Sequence, residues 1–126
     1  GTIAEKGARS PFDWKAVGRD TPIQHVIDLV NIYSKTHEII LLSGRDSVCR
    51  PETKKWLIDN KVNYDTLYMR HEGSRDKDTL VKKQIFARNI KDKFFIDFIL
   101  EDRAAPVGMW RNEVHLPCFQ VAEGNF

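Results

Sequence analysis

Two short apolar runs, each halted by a polar turn, most constrain what this chain can become. In "EIILLSGRD" the run Ile39 to Leu42 stops at Ser43-Gly44, and in "FFIDFIL" the run stops at Glu101. Continuous apolar stretches of this length, bounded by turn residues, predict strands buried on both faces, as in a parallel sheet. Helical patterns lie between them. Thr21 and Pro22 mark a helix start, after which Ile23, Val26, Ile27 and Val30 share one face. Pro51 opens a second helix carrying Trp56, Leu57 and Ile58, and Asp78 caps a third, with Val81 and Ile85 on one face. "YDTLYM" alternates weakly and predicts an edge-side strand. A short helix covers Val107 to Arg111, and "CFQVA" is a last strand.

Alternation of this kind predicts an α/β fold with a mainly parallel sheet. A length of 126 residues suits one domain, residues 1–126, and no repeat, low-complexity tract or linker divides it. Four strands are visible where a doubly wound sheet usually has at least about five, which puts any further strand before Gly1. The chain is 41% hydrophobic and 30% charged, the balance of a globular protein and not of a disordered one. No stretch approaches the roughly 20 apolar residues of a membrane span, and no signal peptide is visible. Cys49 and Cys118 stand far apart, in no metal or redox spacing, and read as reduced thiols of a cytoplasmic protein. A net charge of +2 is too small to establish a nucleic-acid partner.

In open α/β sheets ligands bind at the carboxyl ends of strands, so what each strand delivers there carries the chemistry. The first ends in Ser43-Gly44-Arg45: a hydroxyl, free amides and a guanidinium can hold a phosphate, although a plain turn with a solvated Arg is the commoner reading of such a tripeptide. The second ends in Glu101-Asp102-Arg103. Adjacent carboxylates suit Mg²⁺, and they suit the first turn of a helix equally well. Asp78 and Lys82 lie four apart on one helical face, either as a positioned cation for a phosphoryl group or as a surface pair. Arg9 sits in a loop with Lys6. His25, His37, His71 and His115 share no spacing and receive no role, and Trp14 and Trp110 read as packing residues.

None of these motifs decides alone, but their order does. Thr2, then "SGRDS", "KDTLVKKQIF", "EDRAAPVGMWR" and "QVAEGNF" follow the loop order of the haloacid-dehalogenase superfamily. Along the whole chain the sequence resembles its 3′-phosphatase domains of phage polynucleotide kinase-phosphatases, with "GTIAEKGARSPFD" similar to their opening segment. The resemblance implies a Rossmann-like parallel sheet with helices on both faces and no cap domain. It also implies a central first strand, ending in Asp-x-Asp-Gly-Thr, of which this chain carries only Gly1 and Thr2 and neither aspartate. The first aspartate would form an aspartyl-phosphate and the second would move protons.

By the same resemblance, Thr2 and Ser43 hold phosphate oxygens, Lys82 offsets charge with Asp78 orienting it, and Asp102 with Glu101 binds Mg²⁺. Arg9 and Arg45 are similar to the substrate-binding arginines. Glu101 departs from the Asp-Asp of close relatives. The implied reaction is removal of a 3′-terminal phosphate from RNA or DNA in end repair, with a kinase domain upstream in the same polypeptide. The segments between motifs leave no room for a cap, and an open site rimmed by Arg9, Arg45, Arg70, Arg75 and Lys77 suits a polymer end. A nucleotidase or small-metabolite phosphatase of the same fold, and a non-catalytic nucleic-acid-binding domain, are the alternatives. No membrane partner is expected, and homo-oligomerisation is left open.

Overall fold

The computed structural model describes residues 1–5, 18 and 20–125. The chain divides into two compact units, Ile3–Ser74 and Gly1–Thr2 with Arg75–Phe126. Among the described residues no helix is long and apolar enough to cross a membrane.

In the first unit, strands β1 (Ala4–Glu5) and β2 (Thr21–Pro22) form a short antiparallel pair. The spacing predicts a helix start at Thr21-Pro22, but these residues are extended and helix α1 covers Gln24–Tyr33. Ladder pairing with β1, continued by the Ile23 amide on the Ile3 carbonyl at 2.8 Å, outweighs the local signal. The apolar face is as expected, with Val26, Ile27 and Val30 buried. Strand β3 (Ile40–Asp46), helix α2 (Arg50–Asp59) and strand β4 (Thr66–Arg70) follow, and β3 and β4 run parallel through the α2 crossover. Trp56 and Leu57 are buried while Ile58 is exposed. The Trp56 indole donates to the Asp20 carbonyl at 2.8 Å.

In the second unit, helix α3 covers Asp78–Ile85 and runs on into a π-helical turn, Phe86–Ile90. Strand β5 (Ile99–Glu101) pairs in parallel with β6 (Cys118–Gln120), and helix α4 (Ala104–Gly108) with a π-helical turn at Met109–Glu113 connects them. Here the expected long buried strand shrinks to three residues: Phe94 and Phe95 precede it and are exposed. β3 likewise is half-buried over most of its length. Burial on both faces needs cover on both faces, and an apolar run alone cannot say that its cover is present. Among the described residues the parallel strands thus stand as two pairs. Trp110 is buried as packing, edge-on to Phe86 at 5.7 Å between ring centres; Trp14 lies outside the described residues. Both cysteines are free and buried, Cys49 in a 3-10 turn and Cys118 in β6.

The end of β3 is held by Asp46. Its carboxylate accepts from the Val48 amide at 2.8 Å and from the Gly73 amide at 3.0 Å. Gly73 has φ +78°, a left-handed conformation that glycine adopts without steric cost. Asp46→Ala removes a turn cap and strands a second amide, so unfolding of the full-length protein in urea should show a loss of about 1–2 kcal/mol.

Candidate active site

Four charged side chains of the second unit form one alternating network. Lys82 leaves α3 and is only 7% exposed. Its Nζ lies 2.9 Å from Glu101 Oε2, at the end of β5, and 3.3 Å from Asp78 Oδ2, one turn back on its own helix. Arg103 Nη1 reaches the same Asp78 oxygen at 3.4 Å. Asp78 and Lys82 are therefore the i,i+4 pair that the spacing predicts. Asp78 is not a cap, however: Lys77 occupies the N-cap position and no side chain caps the helix. The carboxylate turns away from the helix amides because two cations compete for it. Burial alone lowers the Lys82 pKa, but the carboxylates of Glu101 and Asp78 outweigh it and hold the ammonium above its ordinary value of 10.5.

Glu101 and Asp102 are adjacent and buried, yet they face different partners. The other Glu101 oxygen, Oε1, accepts from the Asp102 amide at 3.3 Å, so both of its oxygens are engaged. Asp102 Oδ1 accepts from the Thr2 hydroxyl at 3.1 Å. Gly1 abuts the same carboxylate: a Cβ placed there would lie 2.5 Å from Oδ1. Among the described residues no cation pairs with Asp102. Thr2, Asp78, Lys82, Glu101 and Asp102 are thus gathered within one unit.

Ser43 and Arg45 belong to the other unit. The β3–β4 register shifts between Ser43 and Asp46, and the bulge re-aims the chain there. Within it the Arg45 amide donates to Ser43 Oγ at 3.1 Å, and Arg70 Nε donates to the Gly44 carbonyl at 2.8 Å. The Arg45 guanidinium pairs with the carboxylate of Asp20, which is 4% exposed. Arg9 lies outside the described residues. Asp20, Arg103, Gln120 and Gly124 all support these side chains without a chemical motif of their own. For Arg103, Gln120 and Gly124 the only sequence signal is membership of the "EDR" and "QVAEGNF" segments.

Cys118 lies near Glu101. Burial raises its thiol pKa, the Glu101 charge adds to that, and Arg111 and Lys82 oppose it, so the thiol stays protonated and unreactive at neutral pH.

Lys82→Met leaves Glu101 buried without its cation and should destabilise the full-length protein by about 3–5 kcal/mol in urea unfolding. Adding Glu101→Gln should recover more than half of that loss. A folded-state pKa above the ordinary value means the Lys82 contribution is complete below pH 10.5 and fades as pH rises through the folded value. Stability of the Lys82→Met variant relative to the parent should therefore be constant from about pH 6 to 9 and converge only in alkali.

All of residues 1–126 match the family model of the polynucleotide kinase PNKP phosphatase domain. A protein of Autographa californica nuclear polyhedrosis virus, named as a bifunctional polynucleotide kinase/RNA ligase, is 29% identical over 116 residues, 89% of this chain and 17% of that protein. Two solved structures of a Pnkp1/Rnl/Hen1 complex, one described as an RNA repair complex, each contain a chain 35% identical with a TM-score of 0.97. Both matches cover 100% of this chain and 41% or 44% of the other. The chain therefore spans less than half the length of these relatives. With its full length matched, it belongs to the phosphatase-domain family of polynucleotide kinase PNKP, within the haloacid-dehalogenase superfamily.

Proposed function

We propose that residues 1–126 act as one Mg²⁺-dependent 3′-phosphatase domain of a larger end-repair protein, removing the terminal phosphate from RNA 3′ ends. The observation that carries this reading is Asp102: a buried carboxylate, held by a hydroxyl and matched by no cation among the described residues, beside a charge-balanced lysine network. A buried uncompensated carboxylate is costly, and a bound cation removes that cost. Among the described residues no group of three potential ligands forms a metal cage. That donor set fits Mg²⁺, which takes one or two carboxylates and leaves its other positions to water and phosphate.

The resemblance supplies the rest of the chemistry. In that superfamily, attack on phosphorus comes from the first aspartate of an Asp-x-Asp pair, which forms an acyl phosphate. The P–O3′ bond breaks as the leaving O3′ takes a proton from the second aspartate. Water then cleaves the acyl phosphate, restoring the carboxylate and releasing inorganic phosphate. Mg²⁺, when bound, offsets the charge shared by nucleophile and phosphate. Asp102 offers it a carboxylate, oriented by Thr2. Lys82 supplies a fixed positive charge, with Glu101 and Asp78 keeping it protonated and immobile. The Ser43 hydroxyl donates to a phosphate oxygen, and Arg45, anchored on Asp20, together with Arg9 binds the nucleic-acid backbone. The likeness to a chain of an RNA repair complex, and to a kinase/RNA ligase, supports RNA as the polymer and a kinase domain in the same polypeptide.

Phosphate release by the full-length protein tests this reading. A 3′-phosphorylated RNA oligonucleotide should be hydrolysed in preference to its DNA counterpart and to a 3′-nucleoside monophosphate. Chelation should stop the reaction and Mg²⁺ restore it. Asp102→Asn should lower phosphate release at least about a hundredfold. Preference for the monomer would replace the proposal with a nucleotidase, and full activity of Asp102→Asn would remove Asp102 from the reaction.

A further inference from the structure

The backbone around Asp102 is fixed from outside its own strand, by the last residue of β6 and the segment that follows it. Gln120 Nε2 donates to the Asp102 carbonyl at 3.0 Å. The Val121 amide donates to the Glu101 carbonyl at 2.9 Å, and the Gly124 carbonyl accepts from the Ala104 amide at 2.6 Å. Gly124 is buried directly beneath the turn. A Cβ there would lie 2.5 Å from the Asp102 carbonyl oxygen and 3.0 Å from Arg103 Cα. Gly124 shows no left-handed φ, so glycine is required by close approach and not by backbone strain. No side chain can yield at that contact, because both opposing atoms are backbone.

We infer that residues 120–124 are a positioning strap, in which Gln120 and Gly124 set the Asp102 carboxylate for metal binding without touching metal or substrate themselves. The inference rests on the metal role of Asp102 proposed above. The physical reason is leverage. The Asp102 side chain is short, so its carboxylate goes where its Cα goes, and the strap holds that peptide on its carbonyl side. Thr2 then needs only to orient the oxygens. Partners one shell out from a metal ligand commonly control affinity by about 10- to 100-fold.

The test uses the full-length protein with three variants, Gln120→Leu, Gly124→Ala and Asp102→Asn, and two readouts. One is the rise in melting temperature on titrating Mg²⁺ without substrate, and the other is the Mg²⁺ dependence of phosphate release. Gln120 is exposed, so Gln120→Leu removes the amide donor with little risk to folding. The strap predicts that Gln120→Leu and Gly124→Ala each raise the Mg²⁺ concentration for half-maximal effect about tenfold or more in both readouts. It also predicts that kcat at saturating Mg²⁺ returns to within a few-fold of the parent. Asp102→Asn should lose the Mg²⁺-induced shift altogether. If Asp102→Asn abolishes the shift while Gln120→Leu leaves both Mg²⁺ titrations unchanged, the strap is overturned and the metal role of Asp102 stands. If Asp102→Asn keeps the full Mg²⁺ shift, the metal reading falls and the strap with it. Loss of kcat at unchanged Mg²⁺ dependence in Gln120→Leu would also overturn the strap.

Discussion

Successive side chains of an extended backbone point to opposite sides, and at the end of β5 this simple alternation separates two carboxylates that are neighbours in sequence. Glu101 turns to Lys82, and Asp102 turns to Thr2. Had both faced one way, two buried anions would have competed for one cation. Instead Glu101 and Asp78 balance Lys82 and Arg103, two negative charges against two positive. Asp102 is then the carboxylate left over, buried and, among the described residues, without a cation. The Glu at position 101 also acquires a reason. An acidic arm one methylene longer than Asp reaches the Lys82 ammonium while its other oxygen still accepts from the following amide.

The other unit solves a comparable problem with a bulge. A regular ladder through Gly44 and Arg45 would commit their backbone groups to β4. The register shift releases them, and Arg70 closes over the Gly44 carbonyl. The Arg45 guanidinium is fixed by an acidic side chain that is itself buried, so its direction is set by packing and not by solvent. Asp46 completes the turn by taking two amides that would otherwise lack partners. A guanidinium anchored in this way has its direction fixed before any anion meets it.

How much of this could be read from residues alone depended on whether the determinant was local. The apolar runs located β3 and β5, because turn residues mark strand ends by backbone chemistry. The i,i+4 spacing of Asp78 and Lys82 survived folding because helix geometry is local. What was not legible was long-range. The extended pairing of Thr21–Pro22 with Ala4–Glu5 overrode a helix-start signal from a partner 16 to 18 residues away. The exposure of Phe94 and Phe95 depends on which surfaces cover them, which an apolar run does not encode. Asp20 carries no local signal of its own, although it anchors both Arg45 and Trp56.

Glycine shows the same limit most sharply. Gly1 and Gly124 both lie against Asp102, one at its carboxylate and the other at its carbonyl. Gly124 does not show the left-handed backbone that makes a glycine legible as a turn. Their requirement is steric and comes from residues about a hundred and about twenty positions away, so no pattern within a window reports it. Yet a substitution at either would move the same buried acid. A side chain at Gly1 would press on carboxylate atoms that can rotate, whereas one at Gly124 would press on a peptide whose carbonyl the Gln120 amide already holds. The second contact is the stiffer, and the position of the Asp102 peptide is therefore set from the β6 side before its carboxylate meets anything at all.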